Sequence, residues 1–202
     1  EKVAQANYNP DQFELTEHIY RLILNKKFLP HQNVLRRKNA FDEMNICLAD
    51  DLNDIFDCLK QLAVNFQNNI ATCINFSNLR PKLSLIKSTQ GLSSGPISFI
   101  KIFASTFEAL RQNIPSESTP VQTIVLNIHH PDILEYLIFI KNFQKNSINR
   151  NFLFLIDLSP AFLEALGKGD DFELINPENK QIVNYLSSKN TFDLIVSTIQ
   201  EN

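Results

Sequence analysis

Residues 72–112, TCINFSNLRPKLSLIKSTQGLSSGPISFIKIFASTFEALRQ, decide how the chain is read. Residues 73–76 have the look of a short strand, the segment after them is a polar loop carrying Arg80, Lys82 and Lys87, and Ser93-Ser94-Gly95-Pro96 launches an amphipathic helix. Ser94 is placed to cap free backbone N–H groups, and Pro96 stands near the first helical position, where its missing N–H costs nothing. Phe99, Ile100, Phe103, Phe107 and Leu110 then recur at helical spacing. A strand, a basic loop and a capped helix start can hold an anion, because unpaired amides and the helix dipole both favour negative charge there. The same pattern also serves as a helix start that binds only water.

Working outward, 202 residues with 44% hydrophobic content suffice for one domain with a substantial core. A net charge of −3 gives no basic field for nucleic acid or an anionic membrane. Cys47, Cys58 and Cys73 form no CxxC and no Cys/His cluster, which argues against a disulfide scaffold or a metal site and for a reducing, intracellular setting in the cytoplasm or an organelle. The polar start EKVAQANYNPDQ and the absence of a long apolar run give no targeting segment and no membrane insertion. Only 4 glycines leave few places for a glycine-rich phosphate loop, whereas 16 phenylalanines and no tryptophan indicate a large apolar core.

The run NLRP followed by SLIKSTQGLSSGPISFIKIF resembles the part of ribonucleotide reductase large chains that follows an early barrel strand and includes the first specificity-effector loop. The flanking sequence is similar to that family in the same order over roughly residues 8–200. The resemblance implies an α/β fold: half of a ribonucleotide-reductase-like barrel, with about four to five mostly parallel strands near Cys47 and at 73–76, 121–128 and 151–158, joined by helices. Residues 1–202 are expected to form this single half-barrel domain, with 1–9 as a flexible N-terminal segment.

In chain order, residues 10–25 read as a helix, and Phe28-Leu29-Pro30 matches a family loop whose hydroxyls are replaced here by residues 31–34 and the basic Arg36-Arg37-Lys38. Cys47 resembles the family's N-terminal redox cysteine; by its apolar flanks it is equally a small core residue. Neither Cys58 nor Cys73 falls where the family keeps the partner thiol. From Asp50, DDLNDIFDCLKQLAVNFQNN is a strong helix pattern. The family's effector site implies nucleotide-binding roles for Asp50 at its start, Lys60 within it, and Arg80 and Lys87 in the loop, with dNTP or ATP as the ligand. The residue types also allow a helix cap at Asp50, surface charge at Lys60 and a salt bridge at Arg80.

Departures from the family are equally specific. Leu83 replaces a loop glycine, residues 113–120 (NIPSESTP) replace a Gly-Gly-x-Arg-Arg-Gly-Ala coupling loop, and Leu153 and Leu155 replace two polar strand residues. His129 and His130 precede PDILEYL and read as capping and turn residues rather than metal ligands or a base. Residues 167–183 resemble a β-hairpin region, and the family's catalytic cysteines lie beyond residue 202. These features set the expectations: a non-catalytic structural or interaction subunit with a protein partner or a second copy, with Leu83, Leu153, Leu155 and the phenylalanines favouring either a second copy or a former cavity filled by bulky side chains. The alternatives are one fragment of a split reductase, or a nucleotide sensor.

Overall fold

The computed structural model describes residues 44–68, 70–87, 89–112, 120–144 and 152–200. The readings of 1–9, 10–25, 28–38 and most of the 113–120 loop lie outside the described residues. Strands β1 (Met44–Cys47), β2 (Thr72–Asn75), β3 (Gln122–Asn127) and β4 (Phe152–Asp157) form one sheet in the order β1-β2-β3-β4, every pair parallel. Helices α1 (Leu52–Gln67), α2 (Pro96–Arg111) and α3 (Ile133–Gln144) make the crossovers. After β4 come α4 (Pro160–Lys168), the antiparallel hairpin of β5 (Asp171–Ile175) and β6 (Ile182–Ser187), and α5 (Ser188–Gln200). The expected α/β architecture is therefore present, its sheet holding four parallel strands where four to five were expected.

The helix starts differ from expectation in detail. Asp51, not Asp50, caps α1, its carboxylate accepting the N–H groups of Asn53 at 2.9 Å and Asp54 at 3.2 Å. At α2 the cap is Gly95, with φ +75° and no side-chain cap, instead of Ser94. Ser93 Oγ accepts the Gly95 N–H at 3.1 Å, so the hydroxyl secures the turn one residue before the helix. Pro96 holds the first helical turn as expected.

One face of the sheet carries the core. Ile74, Ile124 and Leu126 are fully buried beneath α1, α2 and α3, which contribute Leu62, Phe66, Ile100, Phe103, Phe107 and Tyr136. Phenylalanine rings pack in a chain, Phe66 against Phe107 and Phe76 against Phe103 at 5.3 Å, and Phe143 against Phe154 at 5.2 Å. The buried Tyr136 hydroxyl donates to the Ile124 carbonyl at 3.0 Å, which joins α3 to the sheet. The phenylalanine-rich composition thus fills the helix side.

The other face is open among the described residues. Registers align Cys47, Asn75, Val125 and Leu155 in one row across all four strands. On β4 exposure alternates, and Leu153 and Leu155 are 48% and 42% exposed. Leu83, 68% exposed, also fills nothing. Among the described residues these leucines do not form a packed plug: alternation puts Leu153 and Leu155 on the sheet face opposite the helices, and they, like Leu83, stay exposed.

Replacing Phe103 by Ala should lower unfolding free energy by about 3–5 kcal/mol, whereas Leu153→Ser should change it by less than about 0.5 kcal/mol. Urea unfolding followed by circular dichroism checks both. A large loss from Leu153→Ser would place that side chain in a packed interior.

Candidate functional site

Parallel strands end in loops on one side of their sheet, and ligand clefts of α/β folds gather there. At the ends of β1 and β2, the start of α1, the loop after β2 and the turn of the β5–β6 hairpin enclose a cleft of about 410 Å³. Its charged lining is Asp50, Asp51, Arg80, Lys87 and Glu178. Thr89, Ser93 and Ser94 add hydroxyl groups, while Ile55, Leu79 and Phe99 supply an apolar wall. This mixture suits a ligand with one flat apolar part and one anionic part.

Three of the four residues expected to bind an effector converge here. Arg80 Nε donates to Asp50 Oδ2 at 2.7 Å, and Arg80 Nη2 lies 3.4 Å from the Asp50 carbonyl oxygen. Both side chains are partly buried. Lys87 reaches in from the loop, with Nζ 3.6 Å from Glu178 Oε1. Lys60 is different: it is exposed on α1 and does not line the cleft. Sequence reasoning missed Asp51 and Glu178. The first had a signal in the acid placed before Asn53 and Asp54; the second sits too far along the chain for any local pattern to bring it to the loop.

The loop wall is pinned from below. Asp132 Oδ2 accepts the Lys82 N–H at 2.9 Å, and Lys82 Nζ binds both oxygens of Glu135, the nearer at 3.1 Å. A Cβ at Gly95 would lie 2.8 Å from Asp132 Oδ2 and 3.0 Å from the Lys82 nitrogen, so only glycine lets α2 start against this carboxylate. A short antiparallel bridge between Leu85 and Leu92 closes the loop tip.

His130 is the second pin. Its Nδ1 accepts the Asp132 N–H at 3.0 Å, which places the proton on Nε2, and that N–H donates to the Leu79 carbonyl at 2.9 Å. Burial holds the imidazole below its ordinary pKa of 6.5, against the opposing pull of the Leu79 carbonyl and Asp132. Burial pushes the Asp132 carboxyl up, opposed by the Lys82 N–H and by His130. The turn role expected of His130 is what the structure shows. His129 reaches the other way, with Nδ1 2.6 Å from the Glu173 carbonyl and Nε2 on Ser159 Oγ, the cap of α4.

Of the cysteines, Cys47 is exposed at the end of β1 and its sulfur accepts an N–H of Asn78 at 3.1 Å. Burial pushes the Cys58 thiol up to about 11, leaving it a packing residue rather than a nucleophile. Among the described residues no group of three His, Cys, Asp or Glu side chains is arranged to hold a metal ion.

The family model described as the ribonucleotide reductase barrel domain matches residues 43–201. The chain belongs to the ribonucleotide reductase barrel family. Among its relatives, the vitamin B12-dependent ribonucleoside-diphosphate reductase of Thermoplasma acidophilum is 32% identical over 174 residues, covering 84% of this chain and 22% of the relative. The enzyme of the same description from Mycobacterium tuberculosis is 26% identical over 200 residues, covering 95% of this chain and 28% of its own length. The ribonucleoside-diphosphate reductase large chain of Cryptosporidium parvum is 27% identical over 164 residues, covering 77% of this chain and 20% of its own. The chain thus spans less than a third of the length of each of these relatives.

Two consequences are testable in this reductase segment. Gly95→Ala forces a side chain into a left-handed backbone against Asp132, and should cost about 1–3 kcal/mol in urea unfolding. An unchanged midpoint would contradict the close approach. For His130, a folded pKa below 6.5 means the unfolded chain binds the extra proton first, so its contribution is complete above that pH and shrinks as pH falls below it. Stability measured from pH 7.5 down to 5 should decline, and His130→Asn should flatten that slope.

Proposed function

We propose that this reductase barrel segment binds a nucleoside triphosphate, dNTP or ATP, as a regulatory ligand in the cleft at the ends of β1 and β2. The observation that carries the reading is the convergence of Asp50, Arg80 and Lys87 in one nucleotide-sized cleft beside an apolar wall. Arginine and lysine supply charge-assisted donors for phosphate oxygens. The Asp50 carboxylate is an acceptor suited to a sugar hydroxyl, and Phe99 with Ile55 offers a surface for a base. Lys60 is left outside this assignment.

By itself the segment carries out no reduction in this reading. Radical reduction of a ribose requires a thiyl-forming cysteine, two reducing thiols and a carboxylate around one sugar; the described residues bring Cys47 to the open sheet face with no second thiol beside it in its row. The B12 in the names of two relatives belongs to those proteins. The cleft of about 410 Å³ falls in the range of small-ligand pockets.

A second reading, as an interaction subunit, is favoured by the open sheet face. The exposed side chains of Leu153 and Leu155, in line with Val125, form an apolar strip that a barrel-completing polypeptide or a second copy would cover. Among the described residues no helix is long and apolar enough to cross a membrane.

Thermal unfolding in the presence of dATP, dTTP, dGTP and ATP, with and without Mg²⁺, tests the first reading. Occupancy at a hundredfold excess over Kd adds about 2.7 kcal/mol, a rise of several degrees. Arg80→Ala and Lys87→Ala should each weaken binding about tenfold or more, and Lys60→Ala should leave it unchanged. No shift with any nucleotide would reject the reading, as would sensitivity to Lys60 without sensitivity to Arg80.

A further inference from the structure

The cleft contains its own competitor for phosphate. Glu178 stands at the turn of the β5–β6 hairpin and lines the cleft opposite the loop, with Oε1 3.6 Å from Lys87 Nζ. Both sides of this contact are held in place. On the hairpin, the Glu178 N–H donates to Asn176 Oδ1, and the Lys180 N–H to the Asn176 carbonyl, each at 2.9 Å. The hairpin root is tied to the sheet by the Ile175 N–H donating to the His129 carbonyl at 2.8 Å. On the loop, the Ile86 N–H donates to the Gly91 carbonyl at 2.8 Å and Gln90 Nε2 to the Lys87 carbonyl at 2.9 Å. The two backbones are therefore set, and only the side chains need move.

The two ion pairs of the cleft differ in how easily they part. Among the described residues three carboxylates and two cations line it, and each of those cations faces a carboxylate: Arg80 meets Asp50, and Lys87 meets Glu178. Arg80 and Asp50 are partly buried and joined at 2.7 Å, which makes that pair costly to separate. The Lys87 side chain is 88% exposed and Glu178 40%, so parting them leaves two hydrated groups and little penalty.

Resting on the nucleotide reading, we propose that Glu178 is a specificity-determining residue that competes with phosphate for Lys87 and so holds down the advantage of ligands carrying several phosphate charges. A triphosphate that reaches Lys87 must displace this carboxylate and forfeits the pair, whereas a monophosphate that leaves the pair intact forfeits nothing. Glu178 also repels each added phosphate, so its removal should help every phosphorylated ligand and the triphosphate most, widening its advantage.

Calorimetric titration of the full chain with dAMP, dADP and dATP is the test, using wild type, Glu178→Gln, Lys87→Ala and the double variant, with thermal unfolding as a folding control. Glu178→Gln should bind dATP about two- to fivefold more tightly, an effect that shrinks at high salt, and the preference for dATP over dAMP should widen. In the Lys87→Ala background the Glu178 substitution should have no more than a small effect. Binding by wild type with no gain, or a loss, in Glu178→Gln overturns this inference alone. An equal gain with and without Lys87 also overturns it, showing a diffuse field instead of competition. Absence of binding in both wild type and Glu178→Gln overturns the nucleotide reading and this inference together.

Discussion

The Asp132 carboxylate, accepting the Lys82 N–H in the space left by Gly95, sets the shape of everything around the cleft. It sits at the start of α3, which Tyr136 ties to the sheet, so the loop after β2 takes its position from the core and not from solvent. His130 reinforces the same junction by bonding the Leu79 carbonyl and the Asp132 amide at once. With the loop fixed, Arg80 falls beside Asp50 and Lys87 reaches the hairpin turn. The few glycines in this chain are consistent with that design, because side-chain pins hold the loop where backbone turns otherwise would.

The sheet imposes the second constraint. Parallel strands in a barrel present two unlike faces: one packs on the crossover helices and the other turns inward. Here the phenylalanines of α1, α2 and α3 saturate the first, while the row from Cys47 to Leu155 lies on the second and has no cover among the described residues. The cleft and the open face are thus separate. The cleft is formed by loops at the strand ends, and the one exposed thiol of β1 belongs to the open face.

Much of this was legible in the sequence, and the reasons differ by residue. The strands were placed within a residue because alternating burial and flanking helices leave little choice of register. That Asp50, Arg80 and Lys87 share one cleft agrees with the family resemblance, since residues so far apart in the chain share no local pattern; a salt bridge at Arg80 was legible, but not that Asp50 is its partner. The caps were misplaced by one because adjacent candidates, Asp50 or Asp51 and Ser94 or Gly95, differ only in backbone angles that sequence does not state. Leu153 and Leu155 suggested a filled cavity, yet hydrophobicity reports what a side chain prefers and not whether a partner is there to cover it. Glu178 had no signal, for its role arises only when the hairpin turn meets the loop.

Hydrogen exchange of the full chain with and without a saturating deoxynucleoside triphosphate addresses the central claim most directly, because it locates the ligand without assuming which residues hold it. The account predicts slowed exchange in three separated segments, the start of α1 at 51–55, the loop at 79–95 and the hairpin turn at 176–181, with β4 unchanged. Protection confined to the open sheet face around Cys47 and Leu155, or none in the loop, would contradict it.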